Sequence, residues 1–115
     1  MKKEIIKSNK ATAKRAELDL AHKLQKAGWD AKRVPHSSAI RTSDLTGLPG
    51  IHISAVTGQR IDFWKALNQS LVNATTEGNG DAAAVFFKRQ NPSSEWYVAM
   101  TLNDFIKIYG GKSNA

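Results

Sequence analysis

Asp44-Leu45-Thr46-Gly47-Leu48-Pro49-Gly50-Ile51-His52-Ile53-Ser54-Ala55-Val56 is the stretch whose reading decides the fold. At its centre a Gly-Leu-Pro-Gly turn separates a short strand at residues 44–46 from a longer one at 51–56. Alternate residues of a strand project to the same face. His52, Ser54 and Val56 therefore share one side, and Ile51, Ile53 and Ala55 the other.

Upstream of this stretch, Ser8 and Asn9 are candidate caps for a helix that begins near Ala11. Ala13, Ala16, Leu20, Leu24 and Ala27 fall on one helical stripe, and Gly28 supplies the stop. Arg15, Asp19, His22 and Lys26 face the other way, into solvent. Glu17 differs, because 100° per residue puts it beside Ala21 and Leu24 on the apolar side. A carboxylate there needs a partner such as Arg33, or a purpose. Residues 29–34 alternate bulky and polar side chains and read as a strand ended by Pro35; residues 36–43 read as a small, polar loop.

Downstream, residues 60–76 form an amphipathic helix with Phe63, Trp64, Leu67, Leu71 and Ala74 on one arc. Asp62, Lys65, Gln69 and Asn73 occupy the opposite arc. A turn at 77–81 leads to a buried strand at 82–88, and a turn at 91–94 to a strand at 95–100. Thr101-Leu102-Asn103-Asp104 has capping-box spacing, with Asp in the usual Glu place, and opens a helix that runs through Tyr109 to the Gly110-Gly111 stop. Trp29, Trp64 and Trp96 each sit in an apolar pattern and are expected in the core. The domain organisation is a flexible basic arm at 1–10, a single domain at 11–109 and a flexible tail at 110–115.

With 115 residues, 41% of them hydrophobic, the chain suffices for one domain with one core. No apolar run approaches the roughly 20 residues of a membrane helix. The absence of cysteine excludes disulfides, thiolate metal sites and cysteine nucleophiles. The opening residues lack the apolar stretch of a signal peptide, so a cytoplasmic location is expected. Seventeen Lys and Arg against ten Asp and Glu give a net charge of +7, which favours a polyanionic partner, nucleic acid first, over a membrane surface. The alternative meaning of that charge is a merely soluble basic protein. The three histidines have no metal-pair spacing, and no Walker loop, dinucleotide fingerprint or serine-nucleophile elbow is present.

The order α-β-β-β-α-β-β-α resembles the core of the PD-(D/E)XK nuclease superfamily, and in detail its small Holliday junction resolvase-like branch, which includes phage and prophage members. The residues that carry the resemblance are Glu17 with the segment from Leu18 to Gly28-Trp29, Arg33 with the Ser37-Ser38 loop, the stretch from Asp44 to Ile53, Ala66-Leu67-Asn68-Gln69, and Trp96-Tyr97-Val98-Ala99-Met100 followed by the segment from Leu102 to Phe105. The similarity spans roughly residues 11–109. It implies an α/β, restriction-endonuclease-like core with a mixed central sheet flanked by helices, Mg²⁺-dependent phosphodiester hydrolysis, and a homodimer that grips branched DNA.

The same resemblance implies a site. Asp44 would ligate the metal, a Glu at position 54 would share it, a Lys at position 56 would help to activate water, Glu17 would support the metal, and Gln69 would orient the centre. Position 54 is Ser and position 56 is Val, so the centre is degenerate. A neutral hydroxyl and an isopropyl group supply neither charge for Mg²⁺ nor support for the transition state. Weak or absent cleavage is the expectation. A rescued endonuclease would hold its metal with Asp44 and Glu17 and use Lys65, on the helical face of Gln69, for the missing Lys. A protein-interaction module on a nuclease scaffold is a further alternative. DNA contact is expected from groups that reach phosphates without demanding a base sequence: Lys7, Lys10, Lys14, Arg33, His36, Ser37, Ser38, Arg41, Arg60 and Lys65.

Overall fold

The computed structural model describes residues 2–35, 43–91 and 93–110, with the side chains of residues 2–11 left aside. Three helices and five strands follow in the order α1 (Lys2–Lys26), β1 (Lys32–Arg33), β2 (Leu45–Thr46), β3 (Ile51–Thr57), α2 (Phe63–Glu77), β4 (Ala82–Lys88), β5 (Tyr97–Ala99) and α3 (Leu102–Tyr109). Together they make an α/β fold with a mixed sheet. No helix among the described residues is long and apolar enough to cross a membrane.

Helix α1 begins at Lys2, ahead of the start near Ala11 that the sequence suggests. Neither Gly nor Pro interrupts residues 2–26, so Ser8 and Asn9 lie within the helix instead of capping it. The end is as the sequence reads: Gly28 takes φ +105°, and the Trp29 amide donates back to the Leu24 carbonyl at 3.0 Å. Lys23 and Lys26 in the last turn complement the helix dipole.

β1 and β2 form a short antiparallel ladder, with Lys32 opposite Thr46 and Arg33 opposite Leu45. Both are shorter than the alternation in the sequence suggests. Gly47 ends the ladder at φ +108°, where a Cβ would lie 2.1 Å from the Asp30 carbonyl oxygen. Only glycine lets the turn approach that backbone. A second, three-stranded ladder has the order β3-β4-β5, with β3 and β4 parallel and β4 and β5 antiparallel. Parallel neighbours need a crossover, which α2 provides.

The sheet separates two unlike layers. On the side of α1, Leu20, Ala21, Ala31, Leu45, Ile53, Ala84 and Phe86 form the buried core. Ala82, Ala83 and Ala84, at most 1% exposed, make the start of β4 thin enough for helices to pack close to its backbone. On the other side lie α2 and α3. Asp62 caps α2 by accepting from the Lys65 amide at 3.1 Å, and Thr101 caps α3 by accepting from the Asp104 amide at 3.0 Å. Asp104 also accepts from the Ala83 amide at 3.2 Å, a donor that β5 is too short to reach.

The helix faces differ from the sequence reading in two respects. The most buried residues of α2 are Ser70 and Ala74, while Trp64 is 77% exposed, because α2 turns polar groups toward the polar face of β3. Trp29, just beyond the stop of α1, is 47% exposed. Trp96 alone of the three packs against the core, and its Nε1 donates to Asp19 at 2.8 Å. Asp19, its side chain still 45% exposed, is thus tied to Trp96 and lies 3.7 Å from Lys88 Nζ. Its carboxyl is pushed below the ordinary carboxylate range, first by that hydrogen bond and then by the charges of Lys88 and Lys23.

Candidate functional site

Of the residues singled out by the sequence, Asp44 lies at the edge of β3 that faces away from β4. There β1 and β2 run out, and the edge donors of β3 need other acceptors. Ser43 and Asp44 supply them. The Ile53 amide donates to Ser43 Oγ at 2.8 Å, and the Ala55 amide to Asp44 Oδ2 at 2.7 Å. The backbone of Asp44 joins the same seam, its amide donating to the Ile53 carbonyl at 2.7 Å and its carbonyl accepting from the Val34 amide at 2.9 Å. Two consecutive side chains therefore continue the ladder where no strand does.

Glu17 is tied to the other side of the β1–β2 ladder. Its Oε1 accepts from Arg33 Nε at 2.7 Å, both side chains being largely buried. The glutamate on the apolar side of α1 thus has the partner that its position demanded. Each charge repays part of the desolvation of the other.

Alternation places His52, Ser54 and Val56 toward α2, opposite the α1 core. Ser54 Oγ donates to Ser70 Oγ at 3.0 Å. The residue that α2 presents to Ser54 is therefore Ser70, and Gln69, one position earlier, lies on the exposed side with its amide bonded to Asn73 at 3.0 Å. Lys65 is exposed on α2 as well. Neither it nor Gln69 is brought to the strand positions that they were expected to serve. His52 is fully buried, with Nδ1 2.9 Å from Glu77 Oε1 at the end of α2. Its Nε2 meets no hydrogen-bond partner among the described residues. The Ser43 amide also approaches Glu77, at 3.4 Å, so Ser43, His52 and Glu77 form one buried polar cluster.

The donor set does not suit Mg²⁺. One oxygen of each expected carboxylate is committed to protein, the third position offers a serine hydroxyl, and no group of three or more His, Asp or Glu side chains among the described residues is placed to hold a metal ion. Of the candidate DNA contacts, Lys14, Arg60 and Lys65 are exposed, joined by Arg15 and Arg89. Arg33 is committed to Glu17. His36, Ser37, Ser38 and Arg41 lie outside the described residues, as do the side chains of Lys7 and Lys10. Two adjoining hollows of about 400 Å³ each, between α1 and the end of β3, share Thr12, Ala16, Thr57 and Gln90; Arg15 and Lys88 line one of them.

Sequence reasoning missed Ser43, Ser70 and Glu77. The signal available was His52 itself, a polar residue at an alternating strand position that needed a buried partner. Searches against protein-family models, curated proteins and solved structures find no match for this chain.

Proposed function

We propose that the chain is a DNA-binding protein of the restriction-endonuclease-like, junction-resolvase type whose centre cuts weakly or not at all. The observation that carries this reading is the engagement of the three site positions with one another's scaffold: Glu17 with Arg33 at 2.7 Å, Asp44 with the Ala55 amide at 2.7 Å and Ser54 with Ser70 at 3.0 Å. Groups that a nuclease would hold ready for a metal and a water are spent on structure. The charge of +7 persists, and the exposed Lys14, Arg15, Arg60, Lys65 and Arg89 leave it available to phosphates. Binding through such groups positions a duplex or a branch without reading its sequence. In this reading two copies of the chain grip branched DNA.

The test is retention and cleavage of labelled four-way and linear DNA at low ionic strength, with Mg²⁺ or Mn²⁺ present. Salt-sensitive retention without cleavage is expected. Absence of salt-sensitive binding to either DNA overturns the reading. Cleavage that disappears in Asp44→Ala overturns its non-cutting part.

A further inference from the structure

Another hollow lies away from the Asp44 edge, beyond the ends of β3 and β4. It holds about 650 Å³, and Phe63, Phe87, Tyr97, Arg89, Gln59 and Glu95 are among its lining residues. That volume falls within the roughly 300–1,000 Å³ typical of small-molecule sites. Three of these side chains form an aromatic series. Phe63 meets Phe87 edge-on at 4.6 Å, and Phe87 stacks on Tyr97 at 5.5 Å with 24° between the rings.

The series does not end in the core. Tyr97 is 55% exposed and Phe63 46% exposed, so both outer rings retain surface for a further partner. Beside them the Ser94 amide donates to the Asn91 carbonyl at 2.9 Å, and the Arg89 amide to Ser94 Oγ at 3.2 Å. Arg89, exposed, lines the same hollow as the rings. A planar, aromatic ligand carrying negative charge satisfies both features. The rings offer a stacking surface, Arg89 a cation, Glu95 an acceptor for a ring N–H, and Gln59 a donor and an acceptor for exocyclic groups.

We infer that this hollow takes an unpaired nucleobase of a single-stranded segment, stacked on Tyr97, with an adjoining phosphate on Arg89. The inference rests on the nucleic-acid reading above and narrows it, since a base within an intact duplex has no free face to stack. A chain that favours branch points or strand ends over plain duplex follows from it.

The experiment measures binding of the full chain to fluorescent oligo-thymidylate and to a linear duplex of equal length, with thymidine monophosphate as competitor. Tyr97→Leu, which keeps apolar bulk and removes the ring, should weaken oligo-thymidylate binding about 10-fold, and Tyr97→Phe should restore it. Duplex binding should change less than about twofold in both variants. Arg89→Gln should weaken oligo-thymidylate binding and lower the slope of its salt dependence by about one. Light-induced crosslinking from 5-iododeoxyuridine should map to the peptide carrying Tyr97, a readout on the unmodified chain that no folding defect can confuse. Binding to oligo-thymidylate that is indifferent to Tyr97→Leu, or crosslinks that map only elsewhere, overturn the site while leaving the DNA-binding reading standing. Competition by thymidine monophosphate at concentrations equal to those of the oligomer overturns the single-strand assignment in favour of a free nucleotide. Failure of the unmodified chain to bind either DNA overturns both.

Discussion

The two faces of the sheet are built on different principles. Toward α1, β3 and β4 present Ile53, Ala84 and Phe86 to Leu20 and Ala21, with the largely buried Glu17–Arg33 pair and the Asp19–Trp96 bond beside them. Toward α2 the same strands present His52 and Ser54, answered by Glu77 and Ser70, and Phe87, answered by Phe63 and Tyr97. One face is held by burial. The other combines buried apolar side chains, Ala83 and Val85, with the polar side chains of His52 and Ser54 and with rings that remain partly in water.

The contrast yields a ranked set of outcomes. Ile53→Ala, on the dry face, should cost the most, about 2–5 kcal/mol from lost transfer energy and the cavity left behind, read as a lower urea midpoint at unchanged slope. A cost below about 1 kcal/mol would break the picture of α1 as the side that holds the fold. Arg33→Met should cost roughly 3 kcal/mol because it takes one charge from a largely buried ion pair, and Glu17→Gln in the same chain should recover part of the loss. Additive effects of the two changes would show that the pair is not coupled.

On the polar face, Ser54→Ala should cost no more than about 1 kcal/mol, since Ser70 loses one neutral partner. A larger loss would mean that this face contributes as much as the other. The smallest effect belongs to Asp19. Its folded-state carboxyl is depressed, so the stability it supplies is present above the ordinary carboxylate range and is lost as pH falls through the lower, folded value. The stability gap between the unmodified chain and Asp19→Asn should therefore be steady from neutral pH to about pH 5 and close below about pH 4, as followed by thermal melting across that range.

Much of this division was legible in the sequence. Strand alternation from Ile51 to Val56 and the Gly28 and Gly110 stops depend on near neighbours, and they define the elements. The Glu17–Arg33 pair was legible too, since a carboxylate on an apolar stripe demands a base. What escaped was rotation and reach. Gln69 and Ser70 differ by 100° about one helix, and only the polar face of β3 decides which of them turns inward. The partner of Asp44 is an amide 11 positions away, fixed by register across a turn and not by side-chain type. Trp64 has the composition of a core residue, but in the same first turn of α2 it is Phe63 that meets the sheet, on Phe87.

The seam made by Ser43 and Asp44 has a bearing on how the protein behaves in concentrated solution. Exposed strand edges recruit other strands, because their unpaired amides act as templates for further pairing. At Ile53 and Ala55 those amides are already occupied by a hydroxyl and a carboxylate from the same chain. The Asp44 carboxylate thus doubles as a guard against aggregation, and removing it would expose the Ala55 amide to further strand pairing.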